Sequence, residues 1–187
     1  AFFGAGKTLP VWRGGGVNQK LLLDFMRKVS AGEWCHLFPE AGCWQATGLG
    51  GREGQRAREI GKLKWGVGKL IAHSPVKPIV IPFYHIGMEG VMPQDPVTRD
   101  VIAKYPGVGQ KIKVIFGHEV SFDDLIAEHE AKHGPLRKIQ ATPTPDEIEN
   151  YHKYWDSTPE EMLLYSAITR RLEDALEELG REAEVDS

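Results

Sequence analysis

The chain has 187 residues, two cysteines, a net charge of -3 and a mean hydropathy of -0.33. That length suffices for one domain with a core. The two cysteines are too few for a disulfide framework or a zinc set, and no run reaches the ~18 apolar residues of a membrane-spanning helix. The charge is uneven: the first 120 residues carry 16 Lys and Arg against 9 Asp and Glu, and the last 67 carry 7 against 17. A basic front part suits phosphate or an anionic lipid surface, although a solvated mixture of charges gives the same count.

No signal or transit peptide is recognised. The opening AFFGAGK, without Met, reads as a piece of a longer chain, and Phe2, Phe3, Gly4 and Gly6 as the end of an element. Residues 8–13, TLPVWR, read as a short strand ending in Arg13, broken by Gly14, Gly15 and Gly16. Asn18 is placed to cap a helix over 19–29, with Leu22, Phe25, Met26 and Val29 on one face, and Gly32 stops it. The run 34–38, WCHLF, reads as a strand ended by Pro39, which lacks the ladder donor. Two strands around one helix form a β-α-β unit and are expected to be parallel. Glu40 then stands past a strand's carboxyl end, where open α/β sheets bind ligands. A surface Glu in a turn is the alternative. Cys35 and Cys43 read as free thiols.

Residues 42–61 form a long glycine-rich loop carrying Arg52, Arg56 and Arg58, a length that points to a lid, a binding loop or disorder. Residues 63–73 read as a helix with a basic edge at Lys62, Lys64 and Lys69. Residues 77–84, KPIVIPFY, form a continuous apolar run of the central parallel type, and 111–117, KIKVIFG, a further strand that alternates more clearly. Ser121 is read as the cap of a helix over 122–132, ended by Gly134 and Pro135. Residues 141–146 read as a linker. Thr158, Pro159 and Glu161 form a capping box with a first-turn proline, opening a helix to about Gly180 with Tyr165, Ile168, Leu172, Leu176 and Leu179 on one stripe. The expected fold is therefore α/β: a partial, mostly parallel sheet flanked by helices over 1–140, then a linker and an acidic amphipathic helical tail over 141–187 that packs on it.

Two short motifs invite chemistry. His129, Glu130 and His133 spell the His-Glu-x-x-His zinc pattern. Gly134 and Pro135 end the helix at once, however, and histidines in a last turn complement its dipole without metal. His118 and Asp123 have the spacing of the acyltransferase His-x-x-x-x-Asp pair but read as a loop histidine beside a helix-start acid.

Four blocks in order, GKTLPVWRG, HLFPEAG, LKWGVGKLIAH and KPIVIPFYHIGMEGVMP, resemble the tafazzin family of phospholipid–lysophospholipid transacylases, within the glycerolipid acyltransferase superfamily. The likeness covers 2–136. It implies a glycerol-phosphate acyltransferase-like fold and acyl transfer between phospholipids and lysophospholipids, with cardiolipin remodelled from monolysocardiolipin and no cofactor or metal. By resemblance, Arg13 holds the acceptor's phosphate through its guanidinium fork. Phe38, Pro39, Glu40 and then Ala41 correspond to the Phe-Pro-Glu-Gly block, where Glu40 shapes the glycerol-phosphate pocket, and Gly42 just after it joins the substrate-binding set. Lys64 brings a second cation, and Pro82 lies in the last strand block. Ala41 departs from the family's Gly, and the loop to Gly61 is longer than in most relatives.

The family's catalytic His-x-x-x-x-Asp precedes the Arg13 block. It is expected upstream of Ala1, so no catalytic residue is assigned here, and the 187 residues are expected to hold the acceptor-binding part and to be inactive alone. The resemblance implies a mitochondrial protein, peripheral or monotopic on membranes facing the intermembrane space. Its partners would be phospholipid and lysophospholipid substrates and a cardiolipin-containing interface, with no nucleic acid and oligomerisation left open. An apolar patch of Trp65, Ile71, Phe83, Tyr84, Ile86, Met88 and Met92 beside Lys64, Lys69 and Lys77 fits such an interface, and burial in a sheet core fits the strand residues equally. Coenzyme-A-dependent acylation of lysophosphatidic acid and a non-catalytic lipid- or membrane-binding module are the alternatives, with zinc hydrolysis last.

Overall fold

The computed structural model describes residues 8–9, 11–12, 14–40, 63–95, 98, 100–102, 105–150 and 155–185. Its elements are α1 (Lys20–Ser30), α2 (Gly66–His73), β1 (Phe83–Ile86), α3 (Met88–Val91), β2 (Lys113–Phe116), α4 (Asp123–His133), α5 (Pro145–Glu149) and α6 (Pro159–Val185). They fall into two compact units. The first is drawn from Ala1–Pro39, Lys64–Pro78 and Phe122–Thr169, the second from Glu40–Leu63, Ile79–Ser121 and Arg170–Ser187.

The first unit is helical. Leu22, Leu23 and Met26 of α1 are buried against Leu70 of α2, Ile139 and Trp155, with Phe25 and Leu37 at the border. Burying such a side chain fully is worth roughly 1.5–3 kcal/mol, so this face, rather than helix propensity, holds α1. Gln19, not Asn18, occupies the N-cap and makes no side-chain cap, because the Asn18 amide oxygen is taken by Lys69. Gly32, at φ +78°, ends the helix as expected. Its N–H donates to the Val29 carbonyl and that of Glu33 to the Lys28 carbonyl, a left-handed turn that strains any other residue.

The expected parallel β-α-β unit is not formed among the described residues. Positions 8, 9, 11, 12 and 34–38 lie outside any strand. In the second segment, exposed Trp34, His36 and Phe38 alternate with half-buried Cys35 and Leu37. That is the pattern of a segment laid on the helical core along one side, not of a strand covered on both faces.

Elsewhere in the first unit, helix ends follow their capping chemistry. α4 has Phe122 at its N-cap and no side-chain cap, so Ser121 does not cap it. Asp123 and Asp124 lie in the first turn, Lys132 and His133 in the last, each complementing the dipole. The segment read as a linker, 141–146, runs into α5, capped by Thr144: its hydroxyl accepts from the Glu147 N–H at 3.2 Å, and the Glu147 carboxylate accepts from the Thr144 N–H at 2.8 Å. The same reciprocal pair opens α6, between Thr158 and Glu161, at the same two distances.

The second unit holds a two-stranded antiparallel sheet, with Phe83 opposite Phe116 and Ile86 opposite Lys113. The run 77–84 was expected to be a buried parallel strand. Only its end joins β1; Ile79 and Ile81 are 74% and 45% exposed, and Pro78 and Pro82 withhold ladder donors. The carbonyls of Val80 and Pro82 still accept from Val120 and Gly117 at 3.0 and 2.9 Å. α6 runs on past Gly180 to Val185. Gly180 does not stop it because it serves close packing: a Cβ there would lie 3.2 Å from the Tyr84 ring. Leu63 N–H donates to Glu173 at 2.6 Å and Arg171 donates to the Ser121 carbonyl at 2.9 Å. Among the described residues, no helix is long and apolar enough to cross a membrane.

Candidate functional site

Arg13, Gly42, Ala41 and Cys43, with the rest of the 42–61 loop, lie outside the described residues. Of the other positions read from the sequence, Pro39 and Lys64 are brought together: the Lys64 N–H donates to the Pro39 carbonyl at 2.9 Å, fastening the HLFP segment to the start of α2. Lys64 itself is exposed. Phe38 is 59% exposed, with its ring 4.6 Å from that of His36.

In the second unit, Glu40 is half-buried. Burial pushes its carboxyl above the usual carboxylate range, while a hydrogen bond from its own backbone and the nearby His85 imidazole pull the other way. His85, which sequence reasoning passed over, stands on β1, and its Nδ1 is buried without a hydrogen-bond partner. Its signal was present in the block PFYHIGM, where a lone histidine interrupts apolar residues. Pro82 is buried and accepts from Gly117 through its carbonyl.

The densest polar assembly is in the first unit and was also missed. Lys69, read as part of a basic edge and of an apolar–basic patch, is 2% exposed, and Ile71 of the same patch is 6% exposed. The Lys69 ammonium donates to the Asn18 side-chain oxygen at 2.7 Å, the Trp155 carbonyl at 2.5 Å and the Ser157 hydroxyl at 2.7 Å. It also lies 3.8 Å from the Trp155 ring centroid, a cation–π contact. Burial lowers its pKa to about 8, against the raising influence of Glu161 and Asp156.

One turn along α2, His73 Nδ1 lies 2.7 Å from the Arg137 carbonyl and Nε2 2.5 Å from the Tyr165 hydroxyl. A carbonyl only accepts, so Nδ1 carries the proton and Nε2 accepts from Tyr165. Burial holds His73 neutral, with its pKa lowered to about 4; the Arg137 carbonyl and Glu161 favour the cation, and Lys69 and Lys138 oppose it. Burial raises the Tyr165 phenol well above its usual value. The helical period explains the grouping: Lys69 and His73 are four residues apart and share a face.

The His129/His133 pair stacks with ring centroids 4.9 Å apart, but the Glu130 carboxylate between them accepts the Leu136 N–H at 3.0 Å. Among the described residues, no group of three or more His, Cys, Asp or Glu could hold a metal ion. Asp123, of the other short motif, pairs with Lys77 at 2.6 Å, and His118 is exposed. Cys35 is a free thiol whose pKa is raised chiefly by burial.

No family model matches the chain, and no solved structure matches it. It is 31% identical to an N-acylphosphatidylethanolamine synthase of Arabidopsis thaliana, over 95% of this chain and 59% of that protein. It is 33% identical to a tafazzin of Drosophila melanogaster over 72% of this chain and 31% of that protein. It is also 31% identical to a taffazin of Dictyostelium discoideum over 68% of this chain and 40% of that protein. The chain thus spans 31% to 59% of the length of these relatives. With likeness of this extent to two tafazzins and an N-acylphosphatidylethanolamine synthase, the chain is tafazzin-like.

Proposed function

We propose that this chain supplies the acceptor-binding part of an acyl transfer between phospholipids and lysophospholipids, of the kind that remodels cardiolipin from monolysocardiolipin. The observation that carries the reading is the similarity to two tafazzins at 33% and 31% identity. Glu40 adds to it. A half-buried carboxyl beside an imidazole is a hydrogen-bonding group fit to orient a glycerol hydroxyl, and Arg13 would take the phosphate by a bidentate contact. Phe38, Pro39, Gly42, Lys64 and Pro82 would complete the substrate-binding set. Taken alone, the 187 residues would bind the acceptor without turning it over.

A peripheral, mitochondrial setting on a cardiolipin-containing leaflet follows from the same reading. Exposed apolar side chains on and beside the sheet support it: Ile81, Val114 and Phe116 are 45%, 48% and 67% exposed. Flotation of the protein with vesicles containing monolysocardiolipin, but not with phosphatidylcholine alone, tests the binding. Acyl exchange between phosphatidylcholine and monolysocardiolipin tests the chemistry, and turnover by these 187 residues would refute their proposed inactivity.

A second reading is favoured by the 95% of the chain that aligns with the N-acylphosphatidylethanolamine synthase, a span that takes in the C-terminal helix. There the acceptor would be the amine of phosphatidylethanolamine rather than a lysolipid hydroxyl. Supplying both acceptors to the longer protein and separating amide from ester products distinguishes the two.

A further inference from the structure

Within the first unit, α2 carries Lys69 to the segment that leads into α6. Three oxygens surround the Lys69 ammonium: the Asn18 side-chain oxygen at 2.7 Å, the Trp155 carbonyl at 2.5 Å and the Ser157 hydroxyl at 2.7 Å. Only the last can change roles, because an amide or carbonyl oxygen accepts and cannot donate, whereas a hydroxyl does both. As a cation, Lys69 gives its third proton to Ser157, whose own proton goes to Asn18 at 3.1 Å. As a neutral amine it keeps two protons, for Asn18 and Trp155, and its lone pair is left facing the Ser157 hydroxyl. The surroundings thus fix which group the free amine meets.

The neutral form is within reach. Lys69 is 2% exposed, and burial lowers its pKa to about 8. Asp156, beside Ser157, and Glu161 of α6 favour the cation. His73 on the same face of α2 is held neutral by its own burial, and the Tyr165 ring lies 6.0 Å from the ammonium. Ser157 is half-buried and lines a cavity of about 230 Å³ together with Lys69, Arg137, Asp156 and Glu161. That is below the roughly 300–1,000 Å³ of drug-sized pockets, so only a small group enters. With Lys69 neutral, Asp156 and Glu161 outweigh Arg137 on the wall, and an anionic group is disfavoured.

We propose that Ser157 is a nucleophile and Lys69 its base, a serine–lysine pair that takes the acyl group of a small neutral ester. The Ser157 oxygen bonds to the ester carbonyl carbon as Lys69 removes the hydroxyl proton. The bond from that carbon to the alcohol oxygen then breaks, and the departing alkoxide takes up the proton from the Lys69 ammonium. The products are an O-acyl serine, a free alcohol and the neutral amine. Such pairs replace the serine–histidine arrangement on unrelated folds. The inference goes beyond acceptor binding and stops at this half-reaction, one acyl group per chain, so it requires no turnover.

The test treats the 187-residue protein with p-nitrophenyl acetate and follows it by intact mass and peptide mapping. Ser157 should gain an acetyl group that hydroxylamine removes, as it removes esters and not the amides of acetylated lysines. Ser157 should react about 10²-fold faster than the exposed Ser121, within the range of general-base catalysis. The rate should fall about tenfold for each pH unit below 8 as Lys69 takes up its proton. Ser157→Ala should lose this acetyl group; should that variant fail to fold, the peptide map and pH profile of the unaltered protein decide. Acetyl groups found only as hydroxylamine-resistant amides would overturn the proposal. So would a Ser157 that reacts no faster than Ser121, or at a rate indifferent to pH between 6 and 8.

Discussion

Gly68 of α2 packs on the backbone of Tyr165 in α6 so closely that a Cβ on Gly68 would lie 2.5 Å from the Tyr165 carbonyl oxygen and 2.8 Å from its Cα. Both atoms are main chain of a helix and cannot turn aside. Lys69 and His73 reach Ser157 and Tyr165 because α2 comes this near.

Gly68→Ala is therefore expected to destabilise the protein by roughly 1–3 kcal/mol, the usual cost of overpacking, read as a lower urea midpoint. Gly66→Ala is the control. Its added Cβ would meet only the Leu22 side chain at 3.2 Å, which can yield, and the gain in helix propensity offsets the contact. Equal effects of the two substitutions would show that the helices do not cross at Gly68.

Lys69→Met keeps the stem's volume but leaves the Trp155 carbonyl without the ammonium donor it has now. Stranding a buried acceptor costs roughly 1–3 kcal/mol, so the unfolding midpoint should drop clearly. Lys64→Met, at an exposed position on the approach to the same helix, should stay within about 0.5 kcal/mol of the parent. A Lys69 variant as benign as the Lys64 one would return that lysine to the surface.

Stability should fall as pH drops from 6.5 towards 4, and His73 is a named cause. Its pKa is lowered to about 4 by burial, so in that window the unfolded chain binds a proton that the folded imidazole refuses. The contribution is fully present above pH 6.5 and amounts to on the order of 3 kcal/mol. Urea midpoints at pH 7 and pH 4.5 should differ less in His73→Gln than in the parent. An unchanged difference would show that the folded imidazole titrates normally.

The histidine pair on α4 should not make a zinc protein, because among the described residues no third His, Cys, Asp or Glu stands with it to complete a ligand set, and the Glu130 carboxylate holds the Leu136 N–H. Glu130→Ala should lower stability by about 1 kcal/mol through the loosened helix exit. Zinc at equimolar concentration should leave the melting temperature of the parent unchanged. A zinc-dependent rise that His129→Ala abolishes would reverse this reading.

Residues within one or two turns of each other were legible in the sequence. α1, α4 and α6 lie where the apolar period put them, although neither Asn18 nor Ser121 caps its helix, and the Thr158–Glu161 box and the Gly32 stop form as read, since such signals act between neighbours along the chain. The four sequence blocks likewise carried the family without any fold. The sheet was misjudged because an apolar run does not state its partner: Val80 and Pro82 pair antiparallel-fashion with the chain near Gly117, a choice made by distant residues. Gly180 was taken for a terminator when its lack of a Cβ makes room for Tyr84.

What the tertiary structure alone decided is the fate of the polar side chains. The sequence fixes that Lys69 and His73 share a helical face, but not which way that face turns. Only the approach of residues 155–165, some ninety positions along the chain, buries them. Burial then converts an apparent surface cation into a fully bonded one and an ordinary histidine into a neutral acceptor, because the cost of desolvating a charge depends on what surrounds it rather than on its neighbours in sequence.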